Sequence, residues 1–194
     1  RIKKRIKKIE KNLPDGLSLS VSFDRSTYVK AAIFEIWKTL AIAFVLVTLI
    51  IFLFLGNIKS VIVPAVALPV SLIGTFIGLS IFDLSINIFV LLSFILAIGI
   101  ITDDSVIMTD AIYQKIESGE TPLVASWLGA KSITAPIIST TLVLVASFAP
   151  LIFLSGISGT LFRETAIALS FAIVVSSFVA LTLSPALAAN FMKQ

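Results

Sequence analysis

Residues 86–108 read INIFVLLSFILAIGIITDDSVIM, a run of 23 residues whose only charged members are Asp103 and Asp104. A helix needs about 20 residues, mostly apolar, to cross about 30 Å of hydrocarbon. The run is long enough to do so, and the adjacent carboxyl groups are its anomaly. An aspartate near the centre of a membrane helix costs about 2.5–3.5 kcal/mol on insertion scales, so a pair of them demands a reason. Neighbouring residues on a helix point about 100° apart, which lets both carboxyls face a bundle interior without stacking on each other. Two carboxylates that repel each other in hydrocarbon favour states in which at least one holds a proton. Such a pair is suited to taking up and releasing protons. A permanently ionised pair needs a cation beside it. The apolar runs offer no central Lys or Arg, since Lys38 and Arg163 sit at helix ends, where their stems snorkel. A plainer alternative ends the helix near Thr102 and leaves the acids at an interface. That shortens the span to 17 residues and sends Val106, Ile107 and Met108 out of the membrane.

Outward from this stretch the pattern repeats. Apolar runs cover Thr39–Leu55, Val61–Phe82, Ile133–Leu154 and Phe162–Ala189, and Ile33, Phe34, Ile36 and Trp37 extend the first towards an aromatic interface anchor. The expected spans are residues 34–55, 61–82, 86–108, 133–154 and 162–189. Hydrophobic residues make up 58% of the 194-residue chain and charged residues 13%, about half the share of a soluble domain. Five transmembrane helices in an all-α membrane bundle follow. Small residues recur every fourth position, as Gly74 and Gly78, Ser93 and Ala97, and Ala172, Ser176 and Ala180, which favours close helix packing.

The connections are short and polar, except one. Residues 56–60 form the first, and Asp83, Leu84 and Ser85 the second, with Asn87 placed to cap the acidic helix. The third, residues 109–132, is longer. Within it Thr121 and Pro122 read as an N-cap and first helical residue, and Leu123, Trp127 and Leu128 as the apolar face of an interfacial helix. The fourth is the glycine-bearing turn Ser155–Thr160. Lys59, Lys115, Lys131 and Lys193 fall on one side of the five spans, which makes that side cytoplasmic, with the C-terminus there and the N-terminal segment outside.

Residues 1–30 have a different texture. Ile2, Ile6, Ile9 and Leu13 repeat at helical spacing among lysines and arginines, Pro14, Asp15 and Gly16 stop the helix, and Leu17, Leu19, Val21 and Phe23 alternate with serines as in a half-buried strand. One helix and one strand cannot cover each other's apolar faces, so this segment is expected to close a soluble α/β domain whose remainder lies elsewhere. A basic helix of this kind also suits an anionic membrane surface, which stays open as an alternative. Seven of the 15 basic residues lie in the first 11 positions, so the net charge of +4 is a local feature and no nucleic-acid signal. Absence of cysteine and histidine removes disulfides, thiolate or imidazole metal ligands and the usual neutral-pH base. No nucleophile with a base beside it remains in the membrane region, so an enzyme is not expected, nor a cofactor or metal, the coupling ion being the proton.

Taken together, these residues resemble the resistance-nodulation-division (RND) efflux pumps, in particular the branch exporting hydrophobic and amphiphilic compounds. The resemblance covers essentially the whole chain. It rests on Gly99, Asp103, Asp104, Val106 and Ile107, with Phe54, Leu55 and Asn57, with Ser85, Ile86 and Asn87, with Phe153, Gly156, Gly159, Phe162 and Arg163, and with Ser184, Pro185, Ala186 and Leu187. It implies that the spans are the second to sixth of a twelve-helix, two-repeat transporter of the bacterial inner membrane, and that residues 1–30 end a periplasmic porter subdomain. It further implies that Asp103 and Asp104 form a proton-translocating pair facing a lysine of the second repeat. The expected assembly is a homotrimer in membrane lipid, with a periplasmic adaptor and an outer-membrane channel. Two other functions fit the same architecture: a proton-driven subunit of protein export, and a membrane sensor or scaffold like the sterol-sensing domains. Paired acids at depth favour movement of protons over sensing alone.

Overall fold

The computed structural model describes residues 25–56, 58–81 and 87–192. The expected basic helix and serine-alternating strand lie outside these residues. Within them the chain is five helices: α1 Arg25–Leu55, α2 Ile58–Ile81, α3 Ile88–Glu117, α4 Pro122–Ile152 and α5 Gly156–Phe191. Four of them carry stretches long and apolar enough to cross a membrane, namely Lys59–Ile81, Ile88–Glu117, Pro122–Ile152 and Gly159–Phe191. The apolar part of α1, Trp37–Leu53, is shorter, at the lower limit for spanning. The fold is an all-α membrane bundle.

The segment 109–132 differs from its sequence reading. It holds no separate interfacial helix, because α3 runs on to Glu117 and α4 starts at Pro122 and continues unbroken to Ile152. Apolarity ends where the hydrocarbon is expected to end, but backbone hydrogen bonding does not. Gln114 donates to Asp110 one turn earlier at 2.8 Å, supporting the polar last turns of α3. The reversal then takes four residues. Gly119, at φ +97°, lets Glu120 N–H reach back to the Lys115 carbonyl, and Thr121 with Pro122 opens α4. Leu123 and Trp127 remain exposed on that first stretch.

In lipid the hydrophobic effect does not drive helices together, so close packing and interhelical hydrogen bonds must. Two apolar clusters form, one towards each end of the bundle. In the first, Val90, Leu91, Phe94, Ala97, Ile98 and Ile101 of α3 meet Ala168, Leu169 and Ala172 of α5, with Leu40 of α1 and Leu68 and Leu79 of α2. Phe94 stacks on Phe76 of α2 with ring centres 4.3 Å apart. In the second, Met108, Ile112 and Ile116 of α3 meet Ala125 and Ile137 of α4 and Ala188 of α5.

Small residues set how closely the helices approach. A Cβ on Gly78 would lie 1.8 Å from the Phe171 ring, and one on Gly74 2.8 Å from a Val175 methyl, so both glycines of α2 face α5. Ser93, Ala97, Ala172, Ser176 and Ala180 are all buried. A close backbone approach between two helices lies elsewhere, where Gly129 of α4 crosses α3 at Ile112. A Cβ there would meet the Ile112 Cα at 2.9 Å. Ala125, four residues earlier and fully buried, completes a small-residue pair that sequence reasoning missed.

Candidate functional site

The clusters leave a gap between them on α3: the first ends at Ile101 and the second begins at Met108. The gap is polar. Thr102 and Ser105 of α3 and Ser176 and Ser177 of α5 are buried there. Thr102 Oγ1 donates back to the carbonyls of Ile98 and Gly99, and Ser176 Oγ donates across helices to the Ile101 carbonyl at 3.0 Å. Ser105 Oγ is buried with no hydrogen-bond partner among the described residues.

Asp103 and Asp104 sit on the other side of this polar waist. Counted from Ile88, they are the sixteenth and seventeenth of the 30 residues of α3, so each lies about 22–24 Å from the helix start at 1.5 Å per residue. The helix does not stop at Thr102, and apolar residues flank the pair in both directions. Asp103 is exposed and Asp104 half-buried. They open onto a cleft of about 410 Å³ between α3 and α4, lined by Ile100, Asp103, Asp104 and Ile107 on one wall and by Ser139, Thr140, Val143 and Leu144 on the other. The spacing 100, 103, 104, 107 is one face of a helix, and 139, 140, 143, 144 is one face of the next. Neither carboxylate has a hydrogen bond or a basic partner among the described residues. Leu92, Leu96, Gly99, Asp103, Ile107 and Asp110 are exposed along the same side of α3, so beyond the cleft this face is left open by the described residues.

Packing makes the cleft possible. α4 is seated through Ala125, Ser126, Gly129 and Ile137, while nothing from residue 138 to its end is buried. The Gly129–Ile112 crossing anchors α4 near the far end of α3 and brings Ser139 and Thr140 level with the acids. Sequence reasoning found the carboxyls, because charge inside an apolar run stands out. It passed over Ser139 and Thr140, since hydroxyls are common in membrane helices and their spacing does not reveal which face meets α3.

Two further features frame the site. At the start of α3, Asn87 has a double role: its Oδ1 accepts from Val90 N–H at 2.9 Å, capping the helix, while its amide donates to the Glu164 carboxylate of α5. The sequence pointed to the cap but not to Glu164. At the opposite end a larger groove of about 600 Å³ runs between α4 and α5, lined by Leu123, Val124, Trp127, Leu181 and Pro185 among others. It holds no ionisable group. Of these two cavities, only the acid cleft carries ionisable side chains.

The chain is similar to known proteins along its whole length. A family model described as the AcrB/AcrD/AcrF family matches residues 1–194. An uncharacterized transporter of Haemophilus influenzae is 38% identical over 185 residues, covering 95% of this chain. The chain spans 18% of the length of that relative.

Proposed function

Because the chain belongs to the AcrB/AcrD/AcrF family and is therefore part of an RND-type transporter, we propose that Asp103 and Asp104 are the proton-carrying pair of a pump that exports hydrophobic or amphiphilic compounds by proton antiport. The observation that carries this reading is their placement: two carboxyls midway along an apolar helix, on a cleft with two hydroxyls opposite and no cation among the described residues that line it. In hydrocarbon an ionised pair is strongly disfavoured without a counter-charge, whereas a protonated carboxyl is tolerated. Each proton bound or released therefore changes the balance of charge midway along α3.

A lysine of a second helical repeat, approaching the open face of α3, supplies the counter-charge in this scheme. Protonation weakens its attraction to the acids and deprotonation restores it. A helix pair held by that attraction then has two arrangements, and the proton gradient biases the choice between them. Because α3 is pinned to α5 by Ser176 and by Asn87, a shift at the acids moves both helices together. The porter domain preceding α1 is the element that reads this shift. We assign the transporter to the bacterial inner membrane as a homotrimer, working with a periplasmic adaptor and an outer-membrane channel. Lys59 at the start of α2, Lys115 at the end of α3 and Lys131 near the start of α4 support a cytoplasmic location for that end of the bundle.

The test is Asp103→Asn and Asp104→Asn in the full-length parent, assayed by extrusion of a lipophilic dye from membrane vesicles carrying a pH gradient. Each variant should abolish extrusion with expression and assembly unchanged. Undiminished extrusion in both overturns the reading.

A further inference from the structure

The acid cleft has a second wall, and its composition is informative. Ser139 and Thr140 of α4 face Asp103 and Asp104, and Ser132 and Ser147 lie 7 residues to either side of that pair, so the four hydroxyls follow one face of α4. All four residues are exposed along the unburied side of that helix. Pro136 lies on the same face. Having no N–H, it leaves the Ser132 carbonyl without its helical donor, which adds one more acceptor to the stripe. Apolar α4 residues would have covered this face more favourably in hydrocarbon.

We propose that Ser139 and Thr140 hold water in the cleft, and that protons reach and leave Asp103 and Asp104 through that water. The inference rests on the proton-coupling reading for its purpose, and on the cleft for its geometry. Thr140 Oγ1 spends its hydrogen on the Ile137 carbonyl at 2.9 Å, which leaves its lone pairs turned outward as acceptors. Ser139 makes no hydrogen bond to a described residue, so its hydroxyl can both donate and accept. An internal water needs two to four polar partners and about 30 Å³ of space. The cleft supplies two carboxyls, two hydroxyls and about 410 Å³, enough for several waters in contact with both walls.

A proton delivered along this path comes from a hydronium at the mouth of the cleft, crosses the held waters and ends on a carboxylate oxygen. Release reverses the sequence, returning the proton to water. The serine and threonine keep their own hydrogens throughout and act as positioning residues. No other ionisable side chain lines the cleft. The next on α3 is Asp110, the nearest on α4 is Lys131, and Glu35, Lys38, Lys59, Arg163 and Glu164 belong to other helices and do not line the cleft.

Hydroxyls in membrane helices also serve packing, and two double variants of the full-length parent separate the roles. S139A/T140V keeps the shape of the wall and removes both hydroxyls; S139T/T140S alters the shape and keeps them. Water is read by X-ray radiolysis, in which radicals from held water oxidise adjoining side chains, here Ile107, Val143 and Leu144, with Trp127 as an exposed reference. S139A/T140V should lower oxidation of the three about tenfold, while S139T/T140S stays within about twofold of the unaltered protein. Unchanged oxidation in S139A/T140V overturns the inference, and so does an equal loss in both variants, which would mark a packing role. Survival of proton-driven export in Asp103→Asn and Asp104→Asn removes the purpose of the path and overturns it together with the proposed function.

Discussion

The Ser176 hydroxyl of α5 donates to the Ile101 carbonyl of α3 at 3.0 Å, two residues before Asp103 and at the level where the two apolar cores part. It ties the acid-bearing helix to its most extensive neighbour at the depth where charge is proposed to change. Ser176→Ala removes this tie with little loss of volume. Interhelical hydrogen bonds in membranes average about 0.6 kcal/mol, so unfolding of the full-length protein in a denaturing detergent should show a loss of about 0.5–1 kcal/mol. A loss several times larger would mean that Ser176 acts through more than this bond.

Glycine substitutions should rank by what the new methyl group meets. Gly129→Ala places a Cβ against the Ile112 backbone, which cannot rotate away, and is expected to be the most damaging, at about 2–3 kcal/mol. Gly78→Ala meets the far end of the Phe171 ring and should be partly relieved by Phe171→Leu, giving a favourable coupling in a double-mutant cycle. Gly74→Ala meets one Val175 methyl and should be mildest of the three. Detergent-resistance midpoints of the three glycine variants check the order.

Asn87 and Glu164 make a separable prediction about the start of α3. Asn87→Ser retains a capping oxygen and loses the link to Glu164, whereas Asn87→Asp retains the cap and sets a carboxylate against Glu164. Asn87→Asp should therefore be the more destabilising, and Glu164→Gln, which keeps an acceptor for the Asn87 amide, should be within about 0.5 kcal/mol of the unaltered protein. Thermal stability of the three variants decides it. If Asn87→Ser and Asn87→Asp are equal, the Glu164 contact has no energetic role.

What could be read from the sequence followed physical contrast. Long apolar runs announced the helices, Asn87 and the Thr121–Pro122 pair announced two of their starts, and the acids stood out because hydrocarbon makes charge conspicuous. The extent of α3 and α4 was hidden, because hydropathy reports where lipid ends and not where helix ends. Asp110–Glu117 is polar yet helical, and so is the start of α4. The Gly129–Ile112 crossing was hidden for the same reason, lying in a stretch that read as a connection. The hydroxyl wall opposite the acids followed from that crossing, so residue types alone could not place it. Residues 1–24, where a helix and a strand are expected, lie outside the described structure.

Proton movement itself gives the most direct test of the two carboxyls. The full-length parent, reconstituted in liposomes with a trapped pH-sensitive dye and supplied with a lipophilic substrate, should move protons inward as substrate leaves. Asp103→Asn and Asp104→Asn should each lower that flux by at least about a hundredfold, the scale expected when an essential proton carrier is removed. Proton flux equal to that of the unaltered protein in either variant would contradict a shared role for the pair, and equal flux in both would remove the site from the mechanism.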